Sequence, residues 1–471
     1  MSLAQILIFA ALGLLYQPLA RRRGREWLLL AVSVLALYAL QPASPVRHLD
    51  FWLPTASLGL AVLTWCATRM QEERDVAEPL RTFAGVAALV LLLTLTRDLG
   101  PAFRLTATRP PPFLAAVLAL VILAVLSALA LAARSRRALV GSAALFLIAL
   151  FIILKSEPLA TGASAFLRMQ TGQRAELAAP LDLRWLGFSY IAFRLLHTLR
   201  DRLTGKLPSL TLREYLIYIL FFPALAAGPI DRAERFAGDL RSPSPALTEG
   251  GARVAIGVFK KFVLADSLAL LSLAPATVHQ TSSPIWLWIL LYAYAFRLYL
   301  DFSGYTDVAI GLGRLFGVRL PENFSRPYLR ENLTAFWNSW HMTLAGWFRS
   351  YFFNPLTRAL RSARRPVPAG LIVFLSTMST MILIGLWHGI TWNFAVWGAW
   401  HGAGLFIHNR WADLLKRRGI RLSPQGAGGR LAAIGGTILT FHFVTLGWAW
   451  FALPGLDLSW RLLLGLTGGR P

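Results

Sequence analysis

The sequence predicts an all-α, polytopic integral membrane protein with about 11–14 membrane helices, some of them re-entrant. Hydrophobic residues make up 56% of the 471 residues and charged residues only 15%, whereas soluble domains carry about 25% charged residues. Long runs such as Phe113–Leu131 and Ala138–Leu154 contain no Asp, Glu, Lys or Arg. Because a helix crosses the hydrocarbon core with about 20 apolar residues, these runs indicate membrane-spanning helices.

The basic residues gather in short loops at the ends of the apolar runs. The net charge of +24 is compatible on its own with nucleic-acid binding. The Arg residues, however, cluster as in Arg134–Arg137 and Arg200–Lys206, where positive charge orients helices toward the cytoplasm and contacts anionic lipid. We therefore expect a multi-pass protein of the cell (plasma) membrane, with membrane lipid but no nucleic acid as a partner.

The residue composition of the chain changes near residue 181. Residues 1–180 have the composition of plain lipid-facing helices, while residues 181–471 place polar, aromatic and glycine residues inside membrane-length segments. Polar groups at membrane depth normally line a cavity or pair with one another. The sequence therefore predicts N-terminal transmembrane helices (1–180) followed by a core that encloses a polar site (181–471), within one membrane domain.

The first polar centre lies around residue 301. Asp301 closes an apolar run, and Arg297 precedes it by four residues, so the two side chains are spaced for an ion pair on one helix face. This pair is predicted either to belong to a site or only to neutralise two charges at membrane depth. Pro321 and Pro327 break helices, so the residues between them are predicted to form a loop against the bundle.

A short amphipathic helix is predicted over Asn332–Phe353. Trp337, His341 and Leu344 fall on one face at helical spacing. A histidine on such a stripe is more often a hydrogen-bonded core residue than a catalyst, so both interpretations of His341 stay open.

The second polar centre is His388, which lies midway in an uncharged stretch long enough for two crossings. Gly385 and Gly389 flank it and leave room for a backbone or a ligand to approach closely. The nearby tryptophans are predicted to keep water out; they are Trp387, Trp392, Trp397 and Trp400. The alternative is a structural histidine at a helix turn.

Histidine suits the attack of a hydroxyl on a thioester, because its pKa of about 6.5 lets it take up and return a proton near neutral pH. Charge that develops on the thioester carbonyl needs hydrogen-bond donors. The candidate donors and substrate-binding residues are Ser303, Asn338, Trp340, Trp387, Trp392 and Asn393, together with Asp301.

Other chemistries find little support in the sequence. No phosphate-binding Gly-rich loop is present, and the single Cys66 excludes a disulfide within the chain and a paired-cysteine metal site. His401 and His408 are seven residues apart with no accompanying carboxylate. We therefore predict no metal.

Several segments together resemble the bacterial branch of the membrane-bound O-acyltransferase family, which includes the alginate O-acetyltransferase membrane subunit and the D-alanyl transfer protein of teichoic acid synthesis. The resemblance covers about residues 185–455, and two histidines separated by 47 residues mark the family's active site, as do His341 and His388 here. The matching segments are Phe222–Arg232, Gly257–Lys261, Asp301–Asp307, Pro321–Tyr328, Phe336–His341, Leu386–Trp392 and Thr440–Phe451.

The resemblance implies that His388 is the catalytic base and that His341 supports the site or the substrate. It also implies a central funnel or tunnel, with no bound cofactor. The donor would be an acyl thioester, either acetyl-CoA or the phosphopantetheine of an acyl carrier protein. The acceptor would be a hydroxyl of a glycan or polymer, and the resemblance also implies a periplasmic acyl-transfer protein as a partner.

The chain departs from the family pattern at three positions, which leaves the acyl group open. Asn338 and Ser339 stand where Arg is common, and Ser350 stands where an acidic residue is frequent. Acetyl transfer to a polysaccharide is the first choice, and D-alanyl transfer from a carrier protein to teichoic acid is the second. A membrane transporter is the alternative of another class, but the inverted repeats that favour a transporter are not found.

Overall fold

A computed structural model describes residues 1–19, 22, 24–70, 75–419 and 426–469. Over those ranges the chain forms helices, turns and loops and no β-strand. The predicted all-α class is therefore confirmed.

Seven helices within the described ranges are long and apolar enough to cross a membrane. This confirms a polytopic membrane protein. The total of about 11–14 membrane helices stays a prediction, because the remainder would have to come from shorter or more polar helices such as Leu3–Tyr16. The seven spans are Leu49–Thr68, Ala77–Asp98, Phe113–Ala132, Arg136–Lys155, Pro284–Leu315, Ala369–His388 and Ala427–Ala452.

The chain divides into two compact units, of which the first comprises Met1–Val254 and Val308–Pro321. Its helices are α1 (Leu3–Tyr16), α2 (Arg25–Ala39), α3 (Leu49–Thr68), α4 (Ala77–Leu95), α5 (Phe113–Ala132), α6 (Arg136–Lys155), α7 (Glu157–Gln170), α8 (Phe188–Leu203), α9 (Leu212–Leu220), α10 (Ala233–Arg241) and most of α11 (Leu247–Val258).

The boundary between the two units does not fall at residue 180, where the residue composition changes. Helix α8 packs on α3, and α9 packs on α2, α3 and α4. The guanidinium of Arg194 is buried and donates to the carbonyl oxygens of Ile219 and Ala224, both at 2.9 Å. It thereby satisfies backbone acceptors at the end of α9 and just beyond it. Residues 181–254 therefore belong with the N-terminal helices.

The second unit comprises Ala255–Asp307 and Glu322–Pro471. It contains two π-helices, π1 (Phe259–Ala265) and π2 (Arg349–Phe353), a form that is rare and often marks functional sites. Its α-helices are α12 (Asp266–Ala269), α13 (Pro275–Gln280), most of α14 (Pro284–Leu315), α15 (Leu333–Trp337), α16 (Met342–Phe348), α17 (Asn354–Arg361), α18 (Ala369–His388), α19 (Trp392–Arg417), α20 (Ala427–Ala452) and α21 (Leu456–Leu466).

Helices α18 and α19 form a tight hairpin in the second unit. A Cβ added at Gly385 would overlap the carbonyl oxygen of Phe394, and one added at Gly398 would overlap the carbonyl oxygen of Met381. The hairpin turns within Gly389–Thr391, directly after His388. The close approach predicted at Gly385 is thus confirmed, and the group that approaches is the backbone of α19.

The single helix predicted over Asn332–Phe353 is wrong, because the segment breaks into α15, α16 and π2. The Oδ1 of Asn332 caps α15 by accepting from the amide of Ala335 at 2.8 Å. His341 has a left-handed backbone with φ of 41°, which no α-helix tolerates in its interior. The break therefore occurs at the histidine itself.

Candidate active site

His388 is the last residue of α18, and aromatic rings surround its imidazole. Its ring centroid lies 4.6 Å from that of Trp387, 4.7 Å from Phe451, 5.6 Å from Trp397 and 5.8 Å from Phe394. These rings come from α18, α19 and α20. This aromatic shell covers only part of the imidazole, because His388 is half-buried.

His341 lies between α15 and α16, outside the seven candidate spans, and is 3% exposed. Its Nδ1 is 3.1 Å from the Oδ1 of Asn323, and its Nε2 has no hydrogen-bond partner among the residues that the structure describes. Burial lowers the pKa of His341 to about 3, because desolvation disfavours the imidazolium. The imidazole is therefore neutral at physiological pH.

Trp387 contacts both histidines. Its ring centroid is 6.1 Å from that of His341 and 4.6 Å from that of His388. The indole is 8% exposed. The two histidines singled out by their sequence spacing therefore share one aromatic neighbour inside the second unit.

Asn323, in the segment Pro321–Tyr328, is a site residue that sequence reasoning missed. It is fully buried, and its Oδ1 accepts from the amide and the hydroxyl of Thr343 as well as facing His341. An asparagine between two helix-breaking prolines was the available signal, because Asn side chains readily bond nearby backbone groups in loops.

An open cavity of about 180 Å³ lies in the second unit. Neither histidine lines it, but Ile384 does, one helical turn before His388 on α18. Across the cavity wall, the Oδ1 of Asn338 accepts from the guanidinium of Arg349 at 2.5 Å. The lining comprises Thr334, Trp337, Asn338, Ala345, Arg349, Phe353, Thr377, Thr380, Met381, Ile384, Leu405 and Asn409.

Two predicted residues are buried and do not line this cavity. Trp340 packs against Phe324, Phe336, Tyr328 and Trp448, which places it in the core. Ser303 is 3% exposed, and within the described ranges its hydroxyl has no hydrogen-bond partner.

Asn393 and Trp392 stand at the start of α19 and differ sharply in environment. The Nδ2 of Asn393 donates to the carbonyl oxygen of Leu453 at 2.7 Å and to the hydroxyl of Ser459 at 3.1 Å. Trp392 is 77% exposed. Asn393 therefore ties α19 to the end of α20 and to α21, and Trp392 contributes nothing to the aromatic shell.

Asp301 is paired with Lys261 of π1, and the predicted partner Arg297 instead approaches the hydroxyl of Ser272 at 3.4 Å. Close by, Lys260 donates to Asp307 at 2.6 Å. Two consecutive lysines of the wide π-helix thus neutralise two carboxylates of α14. The predicted Arg297–Asp301 pair is wrong, since cations from another helix reach the carboxylates.

His401 is the other deeply buried histidine of this unit. It is 0% exposed, and both ring nitrogens lack a hydrogen-bond partner among the described side chains and backbone groups. Its ring packs on Trp397 at 5.0 Å and Trp337 at 5.2 Å. No group of three or more His, Cys, Asp or Glu able to hold a metal occurs in the described part of the chain.

Comparison with known proteins shows that this chain matches a protein family. A family model described as the membrane-bound O-acyltransferase family (MBOAT) matches residues 140–446. The chain is 34% identical over 282 residues to a probable alginate O-acetylase of Azotobacter vinelandii, covering 59% of this chain and 52% of the relative. It is 32% identical over 286 residues to a teichoic acid D-alanyltransferase of Streptococcus thermophilus, covering 57% and 68% respectively.

A third relative is a peptidoglycan O-acetyltransferase of Helicobacter pylori, 31% identical over 261 residues, with 54% of this chain and 46% of the relative covered. The matched region thus spans about half the length of the O-acetylating relatives. Both His341 and His388 fall within residues 140–446.

Proposed function

Because the chain belongs to the membrane-bound O-acyltransferase family, we propose that it is an O-acyltransferase of the cell membrane. It moves an acyl group, most simply acetyl, from a thioester donor to a hydroxyl of an extracytoplasmic polysaccharide or cell-envelope glycan. The observation that carries this proposal is the pair of histidines, His341 and His388, in contact with one indole, that of Trp387.

In the proposed reaction, His388 is the general base. Its imidazole removes the proton of the acceptor hydroxyl, and the oxygen attacks the thioester carbonyl carbon. The C–S bond breaks as the ester C–O bond forms, and the thiolate leaves as a thiol with the proton that His388 returns. General base catalysis of this kind contributes a factor of about 10²–10⁴. The aromatic shell from α18, α19 and α20 reduces the access of water, which would compete for the acyl group.

The open cavity supports a thioester donor with a phosphorylated carrier. Arg349 bears a positive charge at the cavity wall, and no carboxylate pairs with it among the described residues. Its guanidinium suits phosphate, while Met381, Ile384 and Leu405 offer an apolar wall for a pantetheine arm. Acetyl-CoA and the phosphopantetheine of an acyl carrier protein both have this chemistry, and neither is a resident cofactor.

The acceptor is proposed to be a glycan or polymer, as the names of the relatives indicate for those proteins. A separate periplasmic acyl-transfer protein is the proposed partner if the acyl group passes through an intermediate carrier. A second candidate function is D-alanyl transfer to teichoic acid. It is favoured by the larger share, 68%, of the S. thermophilus D-alanyltransferase that the match covers.

Mass spectrometry of envelope glycans tests the proposal. Glycans are compared between cells with the intact gene, cells with a deletion, and deletion cells that carry the wild-type or the His388→Ala protein. We expect an O-acyl mass, acetyl or alanyl, that disappears on deletion and returns only with the wild-type protein. Identical glycan masses in all four strains would refute the acyltransferase function.

A further inference from the structure

The hydrogen bonds of Asn323 determine the orientation of its own side chain. Its Oδ1 lies 3.2 Å from the backbone nitrogen of Thr343 and 2.9 Å from the Thr343 hydroxyl. A backbone N–H can only donate, so the atom that faces it must be the oxygen of the amide and not the nitrogen. The usual ambiguity between the two orientations of an Asn side chain is thereby resolved.

This orientation in turn determines the tautomer of His341. The same Oδ1 faces the Nδ1 of His341 at 3.1 Å, and an amide oxygen can only accept. Nδ1 therefore carries the proton of the neutral ring, and Nε2 holds a lone pair. Nε2 has no partner among the residues the structure describes, so this lone pair is left for a ligand.

The backbone holds the imidazole in the same place. His341 has φ of 41°, a conformation that costs a non-glycine residue about 1–2 kcal/mol and persists only where its surroundings enforce it. The next amide, of Met342, donates to the carbonyl oxygen of Asn323 at 2.9 Å, and the amide of Ser325 donates to the carbonyl oxygen of Ser339 at 3.0 Å. The loop that contains Asn323 is thus hydrogen-bonded to the chain on both sides of His341.

We propose that Asn323 is a positioning residue that holds His341 in the Nδ1–H tautomer, so that the Nε2 lone pair accepts a hydrogen bond from the hydroxyl of the acceptor substrate. This inference rests on the proposed acyltransferase function and assigns His341 to one of the two substrates. A neutral imidazole of this tautomer cannot donate at Nε2, so it cannot stabilise the oxyanion that forms on the thioester carbonyl.

The surroundings of His341 keep the ring neutral. Phe302 of α14 packs on it with centroids 4.7 Å apart, and Trp387 of α18 packs at 6.1 Å. Desolvation is the cause of its lowered pKa, with no contribution from a charged group. The ring therefore accepts rather than donates at Nε2 across the physiological pH range.

Solid-state ¹⁵N NMR of the histidine-labelled, full-length protein in lipid bilayers tests the tautomer. The His341 signals are assigned by their loss in His341→Asn. We expect a protonated Nδ1 and an unprotonated Nε2 in the wild type. The same pattern should persist in the control Thr343→Val, which removes one hydrogen bond to Asn323 but keeps the bond to Nδ1. A protonated Nε2 in the wild type would overturn the proposal.

Two substitutions of Asn323 then test the positioning role. Asn323→Leu removes the acceptor, and we expect mixed tautomers, a KM for the acceptor raised about tenfold, and an unchanged KM for the thioester. Asn323→Asp keeps an acceptor and should retain the tautomer. Its negative charge raises the pKa of His341, so the ¹⁵N signals of His341 should report the imidazolium at a higher pH than in the wild type.

An unchanged tautomer in Asn323→Leu, or protonation of His341 at the wild-type pH in Asn323→Asp, would contradict the positioning role. Failure of the proposed function is distinguishable from either result. A wild-type protein with the Nδ1–H tautomer but no acyl transfer would refute the acyltransferase proposal and the substrate assigned to Nε2, while the control of the His341 tautomer by Asn323 would stand.

Discussion

Gly385 of α18 lies against the carbonyl oxygen of Phe394 of α19, so close that an added methyl group would overlap that oxygen. The contact lies one turn before His388. It allows the two helices to approach each other near the C-terminal end of α18, where His388 is the last residue. The hairpin geometry therefore sets the position of the His388 imidazole.

The first prediction concerns this contact. Gly385→Ala should destabilise the protein by about 1–3 kcal/mol, because the overlapping atom is backbone and the helices must separate. Gly370→Ala, on the same helix with only the end of the Arg410 side chain nearby at 3.9 Å, is the matched control and should be neutral or stabilising. Thermal unfolding in detergent measures both. Equal stability of the two variants would contradict the close packing.

The second prediction separates Asn393 from its neighbour. Asn393→Ala leaves the carbonyl oxygen of Leu453 without its side-chain donor and should lower the stability by about 1–3 kcal/mol. The KM values of both substrates should change little in the protein that remains folded. Trp392→Ala, which alters a side chain that is 77% exposed, should leave unfolding and activity unchanged. A raised KM in Asn393→Ala without loss of stability would instead indicate a substrate-binding role.

The third prediction ranks the two ion pairs of π1. Asp307 is 6% exposed and bonds Lys260, whereas Asp301 is 48% exposed and bonds Lys261. Asp307→Asn removes the charge from a buried carboxylate that bonds Lys260 and should cost about 1–3 kcal/mol, while Asp301→Asn should cost about 1 kcal/mol or less. Thermal unfolding of the two variants gives the order. A larger loss in Asp301→Asn would contradict the assigned burial.

Sequence reasoning located the two histidines and the neighbours Trp387 and Trp397 but not Asn323 or Phe451. His341 and His388 stand out because their spacing and flanking residues match a known pattern. The partner of Asp301 was missed because π1 presents Lys260 and Lys261 to α14 from 40 and more residues upstream, and a π-helix leaves no clear signal in the sequence. Helical periodicity likewise gave no indication of the left-handed backbone at His341, since that conformation depends on the loop that holds it.

Tryptophans near His388 were grouped by sequence proximity, which does not determine exposure. Trp387 precedes the helix end and is buried, and Trp392 starts the next helix and faces outward. Phe451, in contact with His388 at 4.7 Å, comes from α20. Tertiary contacts of this kind depend on the phase of each helix, which hydropathy alone does not determine.

The fourth prediction concerns the donor. Arg349→Gln removes the positive charge at the cavity wall and should raise the KM for an acyl thioester about 10–100-fold, as expected for loss of one hydrogen bond to a charged group. The kcat should change little. Arg358→Gln, on α17 and absent from the cavity lining, is the control and should behave as wild type. Equal effects of the two substitutions would show that the cavity does not bind the donor.

The most direct test of the proposed chemistry is the rate of acyl transfer from a radiolabelled thioester to envelope glycan by purified protein in lipid nanodiscs. His388→Ala should reduce this rate by a factor of about 10²–10⁴ with unchanged membrane expression. His408→Ala, on α19 and outside the aromatic shell, should retain the wild-type rate. A wild-type rate in His388→Ala would contradict the role of His388 as the general base.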